Sequence, residues 1–262
     1  MATVEEVLAD RSSGASVIVE KALSALSALD AAAAARGASQ IASAFSDMAM
    51  VRNCMRLFLD LCPQEGPREA SERLANMVRE QNRMAAENAS LLLSRYDSAV
   101  TLSQSSLVRE AMVLSGLKRV FVLESRPMRE GVLMCRSLRG SVREAIVVPD
   151  GMVSHAVARA EVAVSGCDAI LSDASIVNKS GTLPLFLVAN GRGKGTLAIG
   201  TSMRFDGEHS MERPPAFREM GCTEVEPGLD CLNVYFEVCP SHLIGNLVTE
   251  KGTDWRRSGV RN

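Results

Sequence analysis

The sequence is poor in aromatic residues and histidine, and it contains no long apolar run. Aromatic side chains make up 4% of the 262 residues, and there are three histidines. A hydrophobic content of 47% still supplies a sizeable core, which must be built mainly from Val, Leu, Ile, Ala and Met. No apolar segment reaches the roughly 18 residues of a membrane span, so we expect no membrane association.

An excess of basic residues is also lacking, since the formal net charge is -2. Proteins that bind nucleic acid usually present a basic face, and we therefore expect no nucleic-acid partner. The N-terminus, MATVEEVLADRSSGAS, is acidic and lacks a basic start followed by an apolar block. It is therefore not expected to be a secretory signal.

The seven cysteines form no CxxC pair, and with three histidines they offer no ligand set at metal spacing. We therefore predict neither a metal site nor a cofactor. Most of the cysteines are expected to be small buried side chains in a reducing compartment, which makes the cytoplasm the predicted location.

The first part of the chain, residues 1–96, has helical character. Ser12 or Ser13 could cap its first long helix, and Pro67 suits the first turn of its last one. Apolar residues recur at helical spacing between them. We predict helices over residues 14–29, 41–61 and 67–95.

The second part, residues 97–262, alternates apolar strand-like runs with amphipathic stretches of about ten residues. Alternation of this kind predicts an α/β fold with a doubly wound, Rossmann-like parallel sheet. Residues 206–231 contain several prolines and glycines and predict a long irregular excursion, such as a lid or a subunit contact. The predicted strands cover residues 99–103, 119–125, 144–150, 161–173 and 195–202.

Doubly wound sheets bind ligands beyond the carboxyl ends of their strands, and polar residues follow the first two predicted strands. SQSS ends at Ser106, where a helix start would offer free N–H groups and hydroxyls to an anion; simple N-capping is the alternative. In ESRP, Pro127 suits a helix start that Ser125 can cap. Arg126 could bind phosphate through two hydrogen bonds, or it could pair with Glu124 or another acid.

The segment GCDAILSDASIVNKSGT carries the most polar groups at this edge. Asp168 follows an apolar strand, so partial burial would suit it to proton donation, with a helix cap or a salt bridge as the alternative. Asn178 and Lys179 would offer an amide and an ammonium to a phosphate or hydroxyl; a solvated loop is the alternative. Arg204, in SMRF, could add another anion contact.

Two other motifs are weak. GRGKG at 191–195 lacks the spacing of a phosphate loop and is interpreted as a turn. Cys167 adjoins Asp168, and adjacent strand residues point to opposite faces. If Asp168 faces a pocket, Cys167 faces the core.

Five segments in this order resemble one superfamily: RSSGAS, VFVLESRPMREG, VSGCDAILSDASIVNKSGT, TSMRF and FEVCPSHLIGNLVTEKG. It contains the regulatory alpha, beta and delta subunits of translation initiation factor 2B. It also contains the isomerases of methylthioribose-1-phosphate and ribose-1,5-bisphosphate. The resemblance runs from about residue 10 to 252 and implies a helical N-terminal domain, a Rossmann-like domain and a homodimer.

The resemblance to the isomerases also implies roles for individual residues. Asp168 would be the proton donor of an aldose–ketose isomerisation. The implied contacts with a phosphorylated ligand are the backbone of Gly14 and Ala15 and the side chains of Ser106, Asn178, Lys179 and Arg204.

Three positions depart from the isomerase pattern. The catalytic Cys of the isomerases falls on Gln104, or on Ser103 or Ser105 if the register slips by one. Ser13 replaces an Arg, although Arg11 could reach from nearby. Glu130 replaces the Gln typical of the methylthioribose enzyme. A carboxamide cannot act as a proton-abstracting thiolate, so the acid is kept and the base is lost.

Two functions follow, and we favour a protein that binds a phosphorylated sugar. It could be an isomerase of a pentose 1-phosphate that uses Asp168. Alternatively, it could be a non-catalytic protein of translation initiation that senses a sugar phosphate or nucleotide and contacts protein partners. A structural remnant with an empty pocket is the third possibility.

Overall fold

The computed structural model describes residues 2–10 and 13–253. The chain forms two compact units. The first contains the residues up to Gln81 together with Met203–Asp206, and the second contains Asn82–Ser202 and the residues from Gly207 onward. No helix within the described ranges is both long and apolar enough to cross a membrane.

The first unit is helical. Its predicted second helix, over 41–61, is in fact interrupted, because Phe45 leaves the helical conformation (φ -117°, ψ 38°) and Met48 is extended. The helix that ends there and the short first helix were not predicted. The helices are α1 (Val4–Ala9), α2 (Ala15–Leu26), α3 (Ala31–Ala44), α4 (Ala49–Glu65) and α5 (Pro67–Leu93), the last of which continues into the second unit.

Side-chain caps fix the starts of α1 and α3. Asp30 caps α3 by accepting the Ala33 N–H at 2.8 Å. The predicted cap of α2 by Ser13 is wrong: Gly14 holds the N-cap position, and no side chain caps the helix. Ser12, the other predicted cap, lies outside the described residues. Phe45 and Phe58 are the aromatic members of the core cluster between the helices, and the other buried members are aliphatic or sulfur-containing side chains.

The second unit alternates strands with helices, as predicted from the change in periodicity. Its helices are α6 (Ser106–Ser115), α7 (Glu130–Leu138), α8 (Val153–Arg159) and α9 (Thr182–Gly191). The strands of the chain are β1 (Ser98–Leu102), β2 (Arg119–Leu123), β3 (Glu144–Val148), β4 (Val162–Gly166), β5 (Ala169–Leu171), β6 (Ile176–Lys179), β7 (Gly195–Ile199), β8 (Phe205–Asp206), β9 (Phe236–Cys239) and β10 (Asn246–Val248). Strand β8 belongs to the first unit.

Six strands form a parallel sheet in the order β10-β7-β4-β1-β2-β3. Strand β1 is buried along its whole length at the centre of the sheet, next to β2 and β4. Apolar side chains of the strands pack with α6 and α7 into one core cluster. The prediction of helices followed by a Rossmann-like parallel sheet is confirmed.

The predicted long strand over 161–173 is wrong in its extent. It divides into β4, in the parallel sheet, and β5, which pairs antiparallel with β6. Strand β6 also pairs antiparallel with β9. Asn178 and Lys179 therefore lie in a strand, and the pairing of that strand depends in part on β9, about 60 residues further along the chain.

The segment between β8 and β9 is irregular, as predicted, and a disulfide closes part of it. Cys222 and Cys231 are bonded, with their Cα atoms 5.4 Å apart. The other five cysteines are free and buried, which confirms that most of the cysteines are buried. Sequence analysis did not identify this disulfide.

Candidate functional site

The loops that follow β1 and β2 meet at the carboxyl edge of the parallel sheet. Ser103 and Ser125 both adopt left-handed backbone conformations, with φ of 57° and 63°. The Ser103 N–H donates to Ser125 Oγ at 2.7 Å, and this hydroxyl donates to the Leu123 carbonyl at 3.1 Å. Non-glycine residues seldom adopt this conformation unless surrounding contacts hold them in it. Here the two hydrogen bonds of the Ser125 hydroxyl hold Ser103 and Ser125 in this conformation.

An acid after β3 fixes the next two backbone groups of the β2 loop. The Ser125 and Arg126 N–H groups donate to the two carboxylate oxygens of Asp150, at 2.8 and 2.7 Å. Sequence analysis gave Asp150 no role. Its position at the end of a predicted strand, beside Pro149, was the signal that could have identified it.

The predicted helix start at Pro127 is wrong. Helix α7 begins at Glu130, after Arg129 in a left-handed conformation, and Ser125 bonds to Ser103 instead of capping it. The Arg126 guanidinium donates to the carbonyl of Val225 at 3.1 Å. Glu124, its suggested ion-pair partner, lies 3.9 Å from Arg129 instead.

The loop after β1 opens helix α6. Ser105 is the N-cap and accepts the Val108 N–H at 3.3 Å. Ser106 is the first helical residue, and both it and Gln104 are exposed. A Cβ on Gly166, at the end of β4, would lie 3.3 Å from Ser105 Oγ, so the ends of β1 and β4 adjoin.

Asp168 lies between β4 and β5 and is half-buried. Its N–H donates to the Val177 carbonyl at 2.7 Å, which places Asp168 beside the strand that carries Asn178 and Lys179. Cys167 is 3% exposed, in agreement with the prediction that it faces the core.

Asn178 and Lys179 end strand β6, so the solvated-loop alternative is wrong. Asn178 is buried, and its amide Nδ2 donates to Thr182 Oγ1 at 2.9 Å. The Lys179 ammonium pairs with Glu130 Oε1 at 3.1 Å. It also lies over the rings of Tyr235 and Phe236, at 4.4 and 4.9 Å from their centroids. The positive charge of Lys179 is therefore compensated within the unit.

The N-terminus of α9 holds a carboxylate of the chain itself. Glu237 Oε1 accepts the N–H groups of Gly181 and Leu183, at 2.7 and 2.8 Å. Burial raises the pKa of Glu237, and these backbone hydrogen bonds oppose that rise. An anionic ligand cannot take this helix end while Glu237 occupies it. Sequence analysis did not identify Glu237, although FEVCP was among the quoted segments.

Three of the predicted ligand contacts, namely Gly14, Ala15 and Arg204, lie in the first unit. Gly14 precedes α2, and a Cβ added to it would meet no atom within 4 Å; Ala15 is the first residue of the helix and is buried. Arg204 is 9% exposed, and its Nη2 donates to Ser16 Oγ at 3.1 Å. The start of α2 thus lies next to Arg204. Arg11 is outside the described residues.

The edge of the second unit therefore offers hydroxyls, backbone N–H groups, an amide, two cations and the carboxyl of Asp168. Within residues 2–10 and 13–253, no group of three or more His, Cys, Asp or Glu residues is placed to hold a metal ion. The exposed side chain after β1 is a carboxamide, and the nearby thiol of Cys167 is buried. Such a set can bind a phosphorylated hydroxyl compound and can donate a proton.

Comparison with known proteins places these features in context. The model of the initiation factor 2 subunit family matches residues 17–254. A methylthioribose-1-phosphate isomerase of Drosophila pseudoobscura pseudoobscura is 32% identical over 162 residues, which cover 56% of this chain and 44% of that protein. A ribose 1,5-bisphosphate isomerase of Methanocaldococcus jannaschii is 26% identical over 140 residues, which cover 51% of this chain and 46% of that protein. The chain thus spans less than half the length of these relatives.

A solved structure shares the fold over nearly the whole chain. It is that of the Pyrococcus horikoshii OT3 translation initiation factor eIF-2B, with a TM-score of 0.82 and 22% identity. The similarity covers 95% of this chain and 94% of the other.

Proposed function

Since the chain belongs to the initiation factor 2 subunit family, we propose that the carboxyl edge of its parallel sheet binds a phosphorylated sugar. The observation that carries this proposal is the set of contacts that joins polar residues from separate strands. Lys179 reaches Glu130 at the start of α7, and the Asp168 N–H reaches Val177 next to Asn178. Ser106 opens the helix whose cap lies against the end of β4.

The ligand would be recognised through its oxygen atoms. Hydrogen bonds that involve a charged group are stronger than neutral ones, which suits Lys179 and Arg126 to a phosphate. The exposed Ser106 adds a hydroxyl at the first turn of α6, where free N–H groups favour an anion. The roles of Gly14, Ala15 and Arg204, which lie in the first unit, stay predictions.

A second candidate function is aldose–ketose isomerisation of a pentose 1-phosphate. Asp168 is half-buried and lies beside the strand that carries Asn178 and Lys179, which favours it, and two relatives carry the names of sugar-phosphate isomerases. Asp168 would protonate the ring oxygen as the sugar opens. Exposed Gln104 cannot remove a proton, and the loss of a base costs about 10²–10⁴ in rate. A base other than a thiolate must then act.

A non-catalytic regulatory role fits the same family and makes no use of a base. In this form the protein would sense the ligand in translation initiation, as a homodimer in the cytoplasm with further protein partners. The resemblance assigns the position of the isomerase thiol to Gln104, and the exposed carboxamide there favours this role over catalysis.

Titration calorimetry tests binding, with ribose 1,5-bisphosphate, methylthioribose 1-phosphate and adenosine monophosphate as ligands. We expect Lys179→Ala to weaken binding by about tenfold or more, because a hydrogen bond to a charged group is removed. Lys118→Ala is the matched control, since Lys118 also pairs with an acid but lies at the opposite end of β2. Equal affinity in wild type and Lys179→Ala would remove Lys179 from the site.

NMR of the same sugar phosphates tests catalysis. Turnover that disappears in Asp168→Asn while binding persists would establish the isomerase. Binding without turnover would support the regulatory role, and the absence of any binding would indicate a structural remnant.

A further inference from the structure

The irregular segment between β8 and β9 is cross-linked by the disulfide Cys222–Cys231. These two cysteines are partly exposed, whereas Cys54, Cys135 and the other free cysteines are buried. A reductant in solution can therefore reach this pair. Exposed disulfides are more often labile than those enclosed in a core.

The residues inside the cross-linked loop hold one cation of the candidate site. The carbonyl of Val225, three residues after Cys222, accepts from the guanidinium of Arg126 at 3.1 Å. Arg126 follows β2 at the carboxyl edge of the sheet. The loop thus gives the Arg126 guanidinium a hydrogen-bond acceptor. A ligand that binds Arg126 would have to displace this carbonyl.

The same loop holds an aromatic ring beside the second cation. Glu224 Oε2 accepts from Asn233 Nδ2 at 2.9 Å and from the Tyr235 hydroxyl at 2.5 Å. Burial, followed by this hydrogen bond, raises the pKa of Tyr235, so its hydroxyl remains a donor. The ring of Tyr235 lies under the Lys179 ammonium, 4.4 Å away.

We propose that Cys222–Cys231 is a reversible thiol-modification site at which a dithiol reductant releases the loop that holds Arg126 and Tyr235. The oxidised loop is a clamp, and the reduced loop is free to leave both side chains. The consequence for ligand affinity rests on the proposed function, whereas the release of the loop does not.

The chemistry is thiol–disulfide exchange. A thiolate of the reductant attacks Cys231 Sγ, the bond between the two sulfurs breaks, and Cys222 leaves as a thiolate that takes up a proton. The Cys231 N–H lies 3.1 Å from Cys222 Sγ and stabilises negative charge on the leaving sulfur. The second thiol of the reductant then displaces Cys231 and ends as the reductant's own disulfide. Two electrons pass from the dithiol to the protein.

Loss of the cross-link increases the freedom of the loop. A cross-link stabilises chiefly by limiting the open conformations of the chain that it closes. Once it is cut, the hydrogen bonds from Arg126 and Tyr235 must hold the loop alone. Because the loop is also rich in exposed residues, we expect it to open often enough for a protease to cut it.

Thiol titration of the whole chain in denaturant is the first measurement. After treatment with oxidised dithiothreitol and removal of the reagent, we expect five titratable thiols, the number of free cysteines. After reduced dithiothreitol we expect all seven. Seven thiols under both conditions would overturn the proposal.

Proteolysis under native conditions is the second measurement, with a glutamate-specific protease and mass spectrometry. We expect cleavage after Glu224, inside the cross-linked loop, to be on the order of tenfold faster in the reduced protein, because proteolysis follows the population of the open form. Cleavage after Glu110, on α6, is the internal reference. The wild-type chain serves for both states, so no variant has to fold.

Two variants complete the test. The Cys222→Ser variant should be cleaved at the fast rate under both conditions. The Cys135→Ala variant should keep the difference in cleavage rate between the oxidised and reduced protein. If five thiols are found after oxidation but the oxidised and reduced proteins are cleaved at equal rates, the disulfide is a passive cross-link. That result would overturn the proposal. Calorimetry with ribose 1,5-bisphosphate, oxidised against reduced, then reads the effect on the site; absence of binding in both states bears on the proposed function alone.

Discussion

The ammonium of Lys179 lies 3.1 Å from the carboxylate of Glu130, so the cation assigned to ligand binding already has a partner. The resemblance also implies that Glu130 replaces the Gln typical of the methylthioribose isomerases. A phosphate of the proposed ligand must compete with this carboxylate. The pair therefore sets how much of the charge of Lys179 a ligand can use.

Glu130→Gln should raise the affinity for ribose 1,5-bisphosphate by about two- to fivefold. Partly exposed ion pairs contribute about 0–1 kcal/mol, which sets this range. Titration calorimetry measures it. Glu124→Gln is the control, because Glu124 approaches Arg129 on the same loop but not Lys179. Unchanged affinity in Glu130→Gln would show that the pair does not restrict binding.

Gly131→Ala should destabilise the second unit by about 3 kcal/mol. A Cβ at this position would lie 1.8 Å from the carbonyl oxygen of Leu123, so α7 would have to move away from β2. Urea denaturation gives the free energy of unfolding. Gly191→Ala, at the end of α9 with no atom within 4 Å of its Cβ, should change that energy by less than about 1 kcal/mol. Similar stabilities of the two variants would contradict the close approach.

Ser125→Ala should cost about 1–3 kcal/mol, because it leaves the Ser103 N–H buried without its acceptor. Ser137→Ala is the comparison, since the hydroxyl of partly exposed Ser137 donates to the Met134 carbonyl one turn back in its own helix. Denaturation of both variants is the measurement. A loss in Ser137→Ala as large as that in Ser125→Ala would argue against the proposed bridge between the two loops.

Glu237 should make the stability of the protein depend on pH. Burial raises its pKa above the usual 4.5, in opposition to the hydrogen bonds it accepts from Leu183, Gly181 and Thr182. The folded protein therefore binds this proton more tightly than the unfolded chain. The resulting stabilisation is fully present below pH 4.5 and is lost as pH rises through the folded-state pKa.

Urea denaturation between pH 4 and pH 7 tests this dependence. The stability of wild type relative to Glu237→Gln should fall as the pH rises, because Gln keeps an acceptor oxygen but does not titrate. Glu226→Gln, at an exposed position, should run parallel to wild type. A difference between wild type and Glu237→Gln that is constant or grows with pH would contradict the raised pKa.

The predictions from sequence succeeded where neighbouring residues carry the structural signal. Pro67 does begin α5, and Cys167 does face the core beside Asp168. Both predictions depend on a few adjacent positions. The first uses the fixed backbone dihedral of proline, and the second uses the alternation of side chains along a strand. The prediction of a helix start at Pro127 failed because the turn around it is held by Asp150, after the next strand.

What the sequence alone determined is the order of helices and parallel strands, together with the polar residues that follow each strand. Hydrophobic periodicity and turn residues are local properties of the sequence, so they can be recognised without knowledge of tertiary contacts. Tertiary structure alone decided which groups these residues meet. The hydrogen bonds of Ser125 to Ser103 and of Glu237 to Gly181 join residues 22 and 56 positions apart. Their formation depends on strand pairing that no local pattern specifies, and so does the charge that Lys179 offers to a ligand.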